Sequence, residues 1–149
     1  MDTFDAQMAA RVWQRVVGEQ HPANHPDLPT LLEGERQDAA VLRSLARRYS
    51  GMRRRKLERL AAETDSQAAC LKGIARLMGE KPKDVRPVLP VKESPAVLLQ
   101  RCYVNAVGRL ATYEGSAAHP EYGRAFTQMT RQKENHCRVL LELIGSLEK

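Results

Sequence analysis

From Thr30 onward apolar residues recur three and four apart, at Leu31, Leu32, Ala39, Leu42, Leu45, Ala46 and Tyr49. This spacing lays one apolar stripe along a helix, which the pair Ser50-Gly51 should end. The run from Met52 to Met78 repeats the pattern through Leu57, Leu60, Ala61, Gln67, Cys70, Leu71, Ile74 and Leu77, and Gly79 and Pro82 close it. Only a short turn separates the two runs, so the helices are expected to pack antiparallel. Glu80 to Pro95 holds Pro82, Pro87, Pro90 and Pro95 and shows no helical stripe, which predicts a crossover along the outside of the fold. Ser94-Pro95 is suited to cap and open a third helix through Leu98, Leu99, Cys102, Ala106, Leu110 and Tyr113. A turn around Gly115 to Pro120 then leads to a fourth, carrying Phe126, Met129, His136, Leu140 and Leu143.

Upstream, Ala6 to Val17 sets Met8, Val12, Trp13, Val16 and Val17 on one stripe, a short lead-in helix suited to pack over the open side of the core. Glu19 to Pro29 follows as an extended connector, because Pro22, Pro26 and Pro29 oppose helical geometry. The expected division is 1–29 for this helix and connector and 30–149 for four long helices. Two hairpins joined by one long crossover form an up-down four-helix bundle, with the connectivity of ferritin-like folds. The halves also superpose in sequence. Glu35 and Leu42 match Ala106 and Tyr113 at an offset of 71, and Thr64 and Gln67 match Lys133 and His136 at an offset of 69.

Composition supports the all-helical reading: Ala, Leu, Arg and Glu are abundant and aromatic residues are only 5% of the 149 residues. That length suits a single domain, which excludes a multidomain enzyme. The net charge of +6 is mixed with acids and not gathered into one tail, a balance that favours solubility and argues only weakly for nucleic acid. Arg47, Arg48, Arg53, Arg54, Arg55 and Lys56 concentrate charge at the first turn, where the expected role is a solvated helix cap opposing the dipole. The lesser alternative is a patch for phosphate or nucleic acid and hence a basic nucleic-acid-associated protein. Against it stand the lack of interleaved aromatics beyond Tyr49 and of a recognition helix, so nucleic acid is not the expected partner. The start Met-Asp-Thr-Phe-Asp lacks the pattern of a secretory signal, and no run approaches the roughly 20 apolar residues of a membrane span. Cys70, Cys102 and Cys137 are an odd set without zinc spacing and read as buried free thiols in a cytoplasmic protein. A zinc site of thiols with His136 is the lesser alternative. His21, His25 and His119 each precede Pro in loops and receive no role. Neither phosphate-cradling glycine loops nor CxxC pairs occur.

The segments Leu32-Glu-Gly-Glu35-Arg-Gln-Asp38-Ala-Ala-Val-Leu42 and Leu60-Ala-Ala-Glu-Thr64-Asp-Ser-Gln67-Ala-Ala-Cys-Leu71 resemble the paired helices of rubrerythrin-like proteins of the ferritin-like superfamily. Ala9 to Val16 resembles the lead-in helix of a small bacterial branch of that group. The resemblance implies a carboxylate-bridged di-iron site with one Glu from each of two helices and a Glu-x-x-His from each of the other two. Carried to this chain, those six positions are Glu35, Thr64 and Gln67, Ala106, and Lys133 and His136. Glu35 and His136 keep a ligand; Thr64, Gln67, Ala106 and Lys133 do not, and a lysine ammonium repels cations and offers no lone pair. The resemblance therefore implies a degenerate di-iron site, with Lys133 standing for the lost metal charge beside Glu35 in a polar layer. The competing register places Glu33 or Glu134 inward, and the plain reading of His136 is a hydrogen-bonded core residue. No cofactor is expected, and the reading leans away from catalysis toward a structural or binding protein, with a homodimer through a helix face compatible with it. The alternative is a metal-binding oxidoreductase of peroxidase or ferroxidase type, with iron or manganese held by Glu35 and His136 in a reduced or rearranged site.

Overall fold

The computed structural model describes residues 26–90 and 92–147. They form four helices, α1 (Leu28–Ala46), α2 (Gly51–Leu77), α3 (Pro95–Gly115) and α4 (Gly123–Leu147), and no strand occurs among the described residues. The lead-in helix expected at Ala6 to Val17 and residues 19–25 of the connector lie outside the described residues, and the end of the expected connector, Leu28 and Pro29, is helical. No described helix is long and apolar enough to cross a membrane. Contacts divide the chain into two compact units, with Tyr103–Leu141 in one and Asp27–Cys102 plus the segment from Glu142 in the other.

In the unit containing Asp27, α1 begins two residues earlier than the stripe predicts. Asp27 caps it, accepting from the Thr30 backbone N–H at 3.2 Å and from the Thr30 hydroxyl at 2.8 Å. Pro29 fits because the first helical turn has no intrahelical partner for the N–H that proline lacks. At the other end α1 stops at Ala46, short of the predicted Ser50-Gly51. Arg47 to Ser50 instead form the turn, held by Arg48 N–H to Leu45 O and Tyr49 N–H to Ala46 O. Gly51 takes φ of 66°, a left-handed conformation that disfavours side chains, and lets α2 start at once.

α1 and α2 pack against each other. Leu28, Leu32, Ala39, Leu42 and Leu45 are buried on α1, and Leu57, Leu60, Ala61, Leu71 and Ile74 on α2. Each such leucine contributes about 1.5–3 kcal/mol through loss of water-exposed apolar surface, which is what holds these long helices in place. The Arg43–Asp65 ion pair runs along the outer edge of the seam.

Residues 80–90 and 92–94 contain no helix, as their prolines require. Asp84 meets Arg36 of α1 at 2.6 Å and Lys72 of α2 at 3.4 Å. The Gln37 side-chain amide engages both backbone groups of Val88, donating to its carbonyl and accepting from its N–H at 2.9 Å. Further on, Glu93 accepts from Arg48 through its backbone carbonyl and pairs with Arg101 at 2.7 Å. α3 opens where expected, with Pro95 first and the Ser94 hydroxyl accepting from Val97 N–H at 3.3 Å.

In the unit containing Tyr103–Leu141, the buried rings of Tyr113 and Phe126 stack at 6.3 Å between centroids. The intervening turn depends on His119, to which sequence reading gave no role. Its Nδ1 accepts from the backbone N–H groups of Glu121 at 3.1 Å and Tyr122 at 3.2 Å. Gly123 starts α4 where a Cβ would sit 2.3 Å from the Ala117 carbonyl oxygen, so only glycine fits without backbone movement.

A candidate vestigial metal site

All six positions inferred from the resemblance are buried. On α1, Glu35 lies on the apolar stripe and is fully shielded, while Thr64 and Gln67, three apart on α2, are 3% and 2% exposed. The three-residue spacing places these two side chains on one helix face. Glu33 and Glu134, the residues of the competing register, are exposed. Asp38, one turn beyond Glu35, is also buried. Its i+3 spacing from Glu35 is the sequence signal that places it on the same face.

In the second unit Ala106 of α3 and Lys133 and His136 of α4 are 4%, 2% and 2% exposed. Cys137 and Thr130 are buried on the same helix. Burial pushes His136 down to about 3, and the neighbouring Lys133 charge adds to the effect, so its imidazole is neutral at ordinary pH. Burial also pushes the Cys137 thiol up, against the opposing influence of Lys133, which keeps it protonated and weakly reactive. Cys70, Cys102 and Cys137 are free, with Cys70 only half-buried, so the structure corrects its predicted burial: the residue lies at the margin of the α2 stripe.

Glu35, Asp38, Gln67, Lys133 and His136 each make a hydrogen bond, ion pair, ring contact or electrostatic interaction. Glu35 belongs to one unit and Lys133 to the other. In one unit Thr64 and Gln67 are weak neutral donors, and in the other Ala106 has no donor and Lys133 is cationic, so neither unit offers what two divalent ions need. Among the described residues, no three or more His, Cys, Asp or Glu side chains are grouped so as to hold a metal.

Comparison with known protein families, curated proteins and solved structures finds no match to this chain.

Proposed function

We propose that this chain is a ferritin-like, rubrerythrin-like four-helix bundle whose di-metal carboxylate site has been converted into a polar core, and that it acts as a non-catalytic structural or binding protein. One observation carries the reading: poor or absent metal donors occupy four of the six inferred ligand positions, and all six are 0–4% exposed. Burial at every position, on all four helices, is what the inferred register requires. Replacement of carboxylates by Thr64, Ala106 and Lys133 removes the negative charge that two divalent ions need for neutralisation.

The test is metal stoichiometry after anaerobic equilibration with iron(II) or manganese(II), in wild type and in a Thr64→Glu, Gln67→His, Ala106→Glu, Lys133→Glu variant. The wild type is expected to hold well under one ion per chain and the variant close to two. Two ions in the wild type, with peroxide or oxygen turnover, would establish the oxidoreductase alternative. Failure of a folded variant to bind metal would refute the register. A cytosolic location belongs to the same proposal, as does a homodimer through a helix face. Val97 and Val104, seven apart on α3 and 45% and 66% exposed, are open for such a contact, and sedimentation equilibrium measures it.

A further inference from the structure

The net charge of the protein resides in thirteen residues. Positions 47–59 hold seven cations and one acid, Glu58, whereas the rest of the chain carries seventeen of each sign. This segment is the α1–α2 turn and the first two turns of α2. Sequence reading made it a helix cap, and for Arg47 and Arg48, which follow α1, that role holds. Arg53, Arg54 and Arg55 are different. They stand at the start of α2, the positive end of its dipole, where the first turn contains no acid.

Cations there oppose helix stability, and Arg53 occupies the place, three after Ser50, where a capping box would have Glu or Gln. Local ion pairs offset part of this. Arg54 meets Glu58 at 2.7 Å, Lys56 meets Glu142 at 3.8 Å and Arg59 meets Glu63 at 3.5 Å, with Arg59 83% exposed. Arg47 and Arg55 are exposed and have no ion pair among the described residues. The buried side of α2 is formed by Leu57, Leu60 and Ala61, leaving Arg54, Arg55 and Arg59 on the solvent side together.

We infer that the α1–α2 turn is a docking surface for the phosphate backbone of duplex nucleic acid, read without regard to base sequence. Six of the seven cations are arginine, whose planar fork matches phosphate oxygens, and a duplex supplies a comparably dense line of negative charge. An anionic membrane fits less well, because Met52 is the only large apolar side chain exposed in this segment.

Fluorescence anisotropy of the full-length protein with a labelled 20-base-pair duplex, in 50–200 mM KCl, tests the inference. With three or four phosphate contacts, log K should fall against log salt with a slope of about −3. An Arg47→Gln, Arg54→Gln, Arg55→Gln variant should bind at least about tenfold more weakly, with a slope between about −1 and zero. A Lys81→Gln, Lys83→Gln, Lys92→Gln control, with the same charge lost from exposed positions, should keep most of the affinity. Arg55→Glu provides a readout independent of folding failure. It places an acid near the α2 start and four before Arg59, so it should raise the melting temperature while weakening binding. Absence of binding at 50 mM KCl, equal loss in the control, or equal competition by polyglutamate would each overturn the inference. Binding to vesicles rich in phosphatidylglycerol but not to the duplex would also overturn it.

Discussion

Acidification from pH 7 to pH 5 should cost the fold about 2 kcal/mol through His136 alone. The side chain is 2% exposed and its imidazole is pushed down to about 3, by burial first and Lys133 second. In the unfolded chain it titrates at its ordinary value of 6.5. Below pH 6.5 the unfolded state takes up a proton that the folded state refuses, so stability falls as pH falls. The slope approaches about 1.4 kcal/mol per pH unit and disappears below about pH 3, once both states are protonated. Across the whole window the loss reaches about 5 kcal/mol at most, a large part of a typical domain stability of about 5–15 kcal/mol. Urea unfolding followed by far-ultraviolet circular dichroism, at constant ionic strength between pH 7.5 and 5.0, measures the slope. His136→Gln removes the titrating group while keeping a polar side chain, and other titrations are common to both proteins. The difference between wild type and variant should therefore change by about 2 kcal/mol between pH 7 and 5. Parallel pH profiles, or an imidazole proton resonance of His136 that titrates near 6.5 in the folded protein, would refute the reasoning. Lys133→Met should raise the His136 value only part of the way, because burial is the larger cause.

His119→Ala removes the acceptor for two backbone N–H groups before α4 and should lower stability by about 1 kcal/mol in urea unfolding, similar to loss of an N-cap. Gly123→Ala drives a methyl group into the Ala117 carbonyl and should cost about 1–3 kcal/mol, seen as a lower melting temperature. Gln37→Leu should speed hydrogen exchange at the Val88 amide by on the order of tenfold while amides in the middle of α1 remain unchanged, since it frees the crossover without unfolding the helix.

The parts of the fold legible in the sequence were those where one signal dominates. The α2 stripe from Leu57 to Ile74 sits between turn residues on both sides, and its predicted span differs from the observed one by a single residue at each end. Ser94-Pro95 combines a cap with a preset first turn, so the α3 start could be placed. The α1 start was misplaced because Asp27 and Pro29 act in opposite senses in a linear reading, and only the cap geometry shows that a first-turn proline favours the helix. His136 is legible as inward from the apolar stripe, whereas the burial of Glu35 and Lys133 is not, since periodicity alone never assigns charged side chains to a core. His119 was missed because a His-Pro pair signals a loop without saying what the imidazole accepts. The polarity of the Arg53 to Arg55 cluster was also missed, because it depends on which helix end carries it, and that boundary is a matter of four residues.

The hold of Gln37 on Val88 resembles the edge of a β-ladder supplied by one amide side chain. It recognises the peptide unit and ignores what that residue carries, and the Val88 side chain is itself 76% exposed. Mutational drift at position 88 should therefore be almost unrestricted, with proline the barred substitution because it has no amide hydrogen to give. Position 37 has no such latitude: asparagine and glutamine alone present a donor and an acceptor side by side on one planar amide, and asparagine is one methylene shorter.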